Sequence, residues 1–342
     1  MLKMKLSDRI EALAQLGNYL HHLAGAEIEE MIAKAVAFNP WFSKENIRLA
    51  LSSIRDEMLS HKALEDWMEN YKGMDTIVPK KVGLILAGNI PAVGFHDVLC
   101  VLISGHYALI KMSDKDKIII PFLLDHLVRI QPTFAHQFEW VDQLKNIDAV
   151  IATGSDNTGI YFQSYFGKYP NIIRRHRNSV AVLDGQENAD DIRLLGKDIF
   201  QYFGLGCRNV SKLYLPVGYP ITFLLEVLHE YNDIIYHHKY KNNFDYNIAL
   251  YLINRVKYVN NGCLILVEDP RLTSRIASLH YEYYKNENEL SNLLEANKDG
   301  IQCVVSKKAM NGIDVVPFGH SQMPGLRDYA DGIDTMSFLK NL

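Results

Sequence analysis

Cys207 sits in the run Gly204, Leu205, Gly206, Cys207, Arg208, Asn209, in a loop that the flanking periodicity places between a helix and a strand. A thiol presented at such a turn can act as a nucleophile, and the neighbouring Arg208 with nearby backbone N–H groups favours the thiolate, its reactive form. A cysteine is also commonly a small buried hydrophobe, and the local sequence leaves both readings open. Cys100, Cys263 and Cys303 fall inside apolar runs, where packing is the expected role. The four cysteines are scattered singly, without metal-ligand spacing or the density of a disulfide scaffold, so neither a metal nor a disulfide framework is expected.

Other residues suit a second kind of chemistry. Asn89 follows an apolar run and precedes Ile90 and Pro91, which fixes the local backbone; its amide suits an oxyanion hole or, equally, a turn bonding its own backbone. Lys111 with Ser113 and Asp114 suits vicinal ribose hydroxyls, against the reading of a solvated loop running on through Lys115, Asp116 and Lys117. Thr153, Gly154 and Ser155, with Gly159 beyond, make a strand-to-helix turn whose N–H groups could receive a pyrophosphate, although the pattern is not a Gly-x-Gly-x-x-Gly fingerprint. Arg174, Arg175, His176 and Arg177 form either a phosphate cradle or a solvated face.

The elements that must position these residues are readable from periodicity. Ile10, Leu13, Leu16, Leu20 and Leu23 recur at helical steps, and Ser43 before Asn46, Ile47 and Leu49 marks a helix restart after Asn39 and Pro40. A helical layer to about residue 71, packed on the main body, is expected. From residue 77 the period changes. The runs at 82–87, 107–110, 149–152 and 180–183 have the continuous apolar character of buried parallel strands, separated by helical segments. This alternation predicts a doubly wound parallel sheet with ligands at the carboxyl ends of its strands. Further on, the pattern predicts a helix from Ile192 to Phe203, strands at 210–215, 262–267 and 302–305, and a helix over 271–283.

With 342 residues, 48% of them hydrophobic and 22% charged, the chain can fill two domains. The net charge of -4 argues against nucleic acid as a partner. No apolar run reaches the ~18 residues a membrane span needs, and the opening residues lack the apolar core of a signal peptide, so the expected location is cytoplasmic.

Taken in order, Asn89 with Pro91, Lys111 with Ser113, Thr153, Gly154 and Ser155 with Gly159, and Cys207 after Gly206 resemble the aldehyde dehydrogenase superfamily. Within it the chain is similar to the acyl-CoA reductase family that includes the fatty-acyl reductase of bacterial bioluminescence. The residues that carry this are the stretch 177–183 (Arg-Asn-Ser-Val-Ala-Val-Leu), the run from Gly204 to Val210, and Pro317, Phe318, Gly319, His320 and Ser321; Asn39, Pro40, Trp41, Phe42 and Ser43 also match, without carrying chemistry.

The resemblance implies an α/β fold of aldehyde dehydrogenase type: two doubly wound parallel-sheet domains and an N-terminal helical layer. Its expected divisions are a helical segment at 1–75, an NAD(P)-binding domain at 76–184 and a catalytic domain at 185–342. It further implies that Cys207 is the nucleophile, that Asn89 helps hold the oxyanion, that Lys111 with Ser113 meets the adenosine ribose, and that Thr153, Gly154 and Ser155 border the cofactor. Hydrolytic members carry Glu-Leu-Gly-Gly, whose glutamate activates water, where this chain reads Ile173, Arg174, Arg175 and His176. Without that base an acyl-cysteine should persist until hydride or another thiol arrives. The implied activity is reduction of an acyl-CoA or acyl-protein thioester to an aldehyde, with NADPH favoured over NADH and a homodimer as the expected assembly. Two other readings are an acyltransferase relaying through the same cysteine and a non-catalytic scaffold that binds acyl-CoA or a nucleotide.

Overall fold

The apolar run after residue 81 forms β1 (Lys81–Ile85), the middle strand of a five-stranded parallel sheet. Its companions are β2 (Tyr107–Lys111), β3 (Phe138–Trp140), β4 (Ala149–Thr153) and β5 (Asn171–Arg174), in the order β3-β2-β1-β4-β5. The chain passes from β1 to β2 on one side and later returns to β4 on the other, so the strand order reverses between β1 and β4. The loops after those two strands flank the reversal point. This computed structural model describes residues 4–154 and 156–342.

The helical layer is formed as expected. Ile10, Leu13 and Leu16 of the helix Leu6–Tyr19 are buried in one cluster with Leu20, Ile28, Ile47 and the sheet residues Val82, Leu84 and Ile110. Ser43 caps the helix Lys44–Met58 by accepting the Asn46 N–H, which satisfies an otherwise orphaned donor. A Cβ on Gly17 would lie 2.8 Å from the Leu59 carbonyl oxygen, so only glycine permits that approach of helix to backbone. Among the described residues no helix is long and apolar enough to cross a membrane.

Contacts divide the chain into two compact units, one running to His176 and rejoined by Pro324–Leu342, the other Arg177–Met323. The observed division precedes the expected one after residue 184, and residues of the first 75 share a core with the sheet on which they were expected to pack. The returning segment is tied in by Leu326, Met336 and Leu339 in the same core, by the Tyr329 hydroxyl accepting from Trp67 Nε1 at 2.8 Å, and by the Asp334 carboxylate accepting from Tyr71.

The second unit holds β6 (Asn178–Val182), β7 (Val210–Pro216), β8 (Val259–Asn260), β9 (Ile265–Glu268), β10 (Ser278–Tyr284), β11 (Ile301–Ser306) and β12 (Val315–Val316). Their order is β12-β11-β6-β7-β10-β9-β8, parallel except where β8 meets β9. Two expectations change here. The run at 180–183 belongs to this sheet as β6, not to the first sheet, whose short edge strands β3 and β5 lack continuous apolar runs. The segment 271–283 is not a helix: 278–284 is β10, hydrogen-bonded to β7 on one side and β9 on the other, and this pairing overrides a pattern that locally fitted a helix.

Candidate active site

In the second unit the helix Ala189–Phe200 runs toward Cys207. It starts with a capping box between Asn188 and Asp191, and its far end is followed by Tyr202, Phe203 and Gly204 at φ 52°, 59° and 74°. Left-handed backbone is sparsely populated for residues with a Cβ. Here it is held by burial of both aromatic rings, Phe203 also stacking on His237 with 4.0 Å between ring centroids.

The chain then makes a closed turn from Gly206 to Asn209. The Asn209 N–H donates to the Gly206 carbonyl at 3.1 Å, and Asn209 Oδ1 accepts the Gly206 N–H at 2.8 Å. Cys207, half-buried, is the second residue of that turn, just before the amino end of β7. Its carbonyl accepts the Ser179 hydroxyl at 3.0 Å, and the same hydroxyl oxygen lies 3.0 Å from Cys303 Sγ.

Asn209 Nδ2 points the other way and donates to the carbonyls of Asp198, Ile199 and Gln201 at 3.0, 3.4 and 2.8 Å. The Asp198 carboxylate, buried on the same helix end, accepts the N–H groups of Gly319 at 2.6 Å and Ser321 at 2.9 Å. Burial pushes its pKa above the usual aspartate range, against the opposing pull of those donors. One helix end thus anchors both the Cys207 turn and the 317–321 turn.

The remaining cysteines divide. Cys100 and Cys263 are buried; burial pushes the Cys263 thiol up to about 12 and the Cys100 thiol well above its ordinary value, which suits packing. Cys303, by contrast, is half-buried and abuts Ser179, so its place is not the apolar one expected.

In the first unit the structure gathers the other candidates at the carboxyl edge of the sheet. Asn89 is half-buried after Gly88, and a Cβ on Gly88 would lie 2.6 Å from Ser113 Oγ, so the two loops touch there. Lys111 ends β2 and its Nζ donates to the Asp142 carbonyl at 2.8 Å. Thr153 ends β4; the Gly154 N–H donates to the Arg174 carbonyl at 3.3 Å, so that amide is already engaged by the neighbouring strand. Ser155 lies outside the described residues. Cys207 belongs to the other unit.

Two residues read as solvated turn out otherwise. Asp114 is exposed and pairs with Lys117, but Asp116, only 2% exposed, accepts the N–H groups of Ala92, Ile118 and Ile119. Ala92 is itself left-handed, at φ 55°. Arg174 is neither a cradle nor a solvated cation: it is buried, paired with Asp97 at 2.6 Å, and donates to Thr335 Oγ1 at 2.9 Å. Asn209, Asp198, Ser179 and Asp116 escaped sequence reasoning, because a buried hydrogen bond to a distant loop leaves no periodicity. The available signal was that Asn209 and Ser179 each lie within a motif.

The fold resembles solved aldehyde dehydrogenases. Aldehyde dehydrogenase 21 of Physcomitrella patens, in complex with the reaction product succinate, superposes with a TM-score of 0.71 at 12% identity, covering 99% of this chain and 84% of that one. An oxidoreductase from Marinobacter aquaeolei gives 0.70 at 10% identity, over 94% and 79%. The NAD+ complex of an aldehyde dehydrogenase from Bacillus cereus gives 0.64 at 12% identity, over 90% and 73%. No match is found among curated proteins. The family model described as acyl-CoA reductase (LuxC) matches residues 5–223, more than half of the chain, from the helical layer through the Cys207 turn and β7. This chain is therefore a member of the LuxC acyl-CoA reductase family, on an aldehyde dehydrogenase fold.

Proposed function

We propose that the protein reduces an acyl thioester to the aldehyde with NAD(P)H, carrying the acyl group on Cys207. The observation that carries the reading is the Cys207 turn itself: a half-buried thiol on backbone fixed by Asn209 and Ser179, in a chain of the acyl-CoA reductase family. The Cys207 thiolate attacks the thioester carbonyl, and the CoA thiolate leaves as the acyl-cysteine forms. Asn89 is the side-chain donor assigned to the oxyanion. Delivery of hydride to the acyl carbon then gives a thiohemiacetal, whose collapse releases aldehyde and returns the thiolate. The stretch 173–176 supplies no carboxylate to activate water, and its Arg174 is committed to Asp97. This favours an acyl-cysteine that waits for hydride instead of hydrolysing.

A nicotinamide dinucleotide fits the first unit on a topological ground, since the strand order reverses between β1 and β4 and such points receive dinucleotides at the carboxyl ends of strands. Lys111 at the end of β2 with Ser113 beyond it, and Thr153 at the end of β4 with Gly154 beyond it, are the residues assigned to hold it, with Ser155 beside them in sequence. When bound, the reduced nicotinamide supplies the hydride. NADPH is the preferred form by resemblance, while Asp114 near Lys111 counts for NADH by charge; kcat/KM for each cofactor decides.

The test is to incubate the protein with acyl-CoAs of graded length and NADPH, following absorbance loss and the intact mass of the acylated chain. Cys207→Ala is expected to abolish both the adduct and the aldehyde while leaving cofactor affinity within about twofold, since only uniform binding would be retained. Retained turnover in that variant refutes the proposal.

A further inference from the structure

We infer that Asn209 is the positioning residue of the nucleophile, closing the turn that presents Cys207 and occupying the carbonyls of the helix end beside it. The inference rests on the reading of Cys207 as nucleophile. Two features of the geometry point to it. First, Asn209 grips Gly206 twice, through its own N–H and through Oδ1, so that Cys207 and Arg208 are the only residues of the turn between the clamped ends. Second, a helix ends on exposed carbonyls that carry partial negative charge, an unfavourable neighbour for a thiolate. Cys207 follows such an end, and Nδ2 of Asn209 donates to three carbonyls there, of Asp198, Ile199 and Gln201. At 3% exposure the side chain spends its amide entirely within this arrangement.

The charged or titratable groups around the turn include Arg208 within it, the buried Tyr202 phenol before it, the Asp198 carboxylate turned to Gly319 and Ser321, Cys303 behind Ser179, His237 against Phe203, and His320 in the 317–321 turn. None of these hydrogen bonds or contacts runs through the Asn209 side chain. Its removal therefore acts on the sulfur through turn geometry and the unmasked carbonyls.

The readout is the pH dependence of Cys207 alkylation by iodoacetamide, followed by peptide mass so that this thiol alone is counted. Asn209→Ala is expected to raise the alkylation midpoint by about half a pH unit, the size of a helix-end effect. It should also lower kcat by ~10- to 100-fold, as for a nucleophile displaced by about an ångström, with KM for the cofactor within twofold. Asn247→Ala is the control. That side chain is 2% exposed and donates to the Ile276 carbonyl at 2.8 Å within the same unit, so its loss should lower Tm without moving the midpoint. An Asn209→Ala protein that loses Tm alone, like the control, overturns the inference. Should that variant not fold, amide hydrogen exchange on the unaltered protein decides: slow exchange at Gly206 and Asn209 supports the clamp, and exchange at unprotected rates overturns it. Aldehyde formation surviving in Cys207→Ala would instead retire the nucleophile reading, and the alkylation result would stand independently of it.

Discussion

The Asp116 carboxylate accepts the Ala92 N–H at 2.9 Å, joining the loop after β2 to the loop that carries Asn89. A carboxylate in a run of charged residues thereby fixes the backbone three positions beyond the candidate oxyanion donor. Asn39 adds a second brace, its Nδ2 donating to the Lys115 carbonyl at 3.0 Å, so the helical layer helps shape the same loop.

Replacing Asp116 by alanine should cost about 2 kcal/mol, because three buried or half-buried N–H groups lose their acceptor. Burial raises the Asp116 pKa above the usual aspartate range despite those donors. The folded chain then binds that proton more tightly than the unfolded one. Stability falls as pH rises from the ordinary aspartate range through the raised value, and levels off above it. Urea denaturation of the parent and Asp116→Asn between pH 3 and 7 checks the sign, since the variant should lack this component of the slope.

Gly88→Ala should destabilise by about 1–3 kcal/mol through overpacking, since its Cβ would meet Ser113 Oγ at 2.6 Å and the Asp116 nitrogen at 3.1 Å. Adding Ser113→Ala removes the first clash and should recover part of the loss. Ser113 Cβ, 2.7 Å from the same point, stays in that variant, so a double-mutant cycle in thermal melting measures the hydroxyl's share alone; additive effects would show that the hydroxyl is not what confines the glycine. Cofactor affinity in Ser113→Ala alone reports whether the hydroxyl also meets a ribose.

The buried Arg174 and Asp97 pair makes an asymmetric prediction. Asp97→Ala should cost about 3–5 kcal/mol because it strands a guanidinium away from water, whereas Arg174→Met with Asp97→Leu should cost much less than either single change. Unfolding monitored at Trp67, within the same unit, distinguishes the two outcomes.

Features with a local cause were legible in the sequence. The face of Ile10, Leu13 and Leu16, the Ser43 cap and the uninterrupted strands β1, β2 and β4 each follow from short-range periodicity or hydrogen bonding. What was not legible depends on partners far away in the chain. The segment of β10 became a strand because β7 and β9 lie on either side of it, and Asp116 is buried only because the Ala92 loop folds over it. Arg174 is one member of a basic cluster in the sequence, and nothing near it there announces Asp97 or Thr335. The Cys207 turn lay between the two cases, its motif visible while the threefold grip of Asn209 on the helix end was not.

The return of Pro324–Leu342 to the first unit has a consequence for biosynthesis. All of Arg177–Met323 is synthesised before Leu326, Met336 and Leu339, so until then the earlier-made unit lacks the three side chains that complete its apolar core. The earlier-translated unit thus depends for its core on a segment made after the whole of the later one.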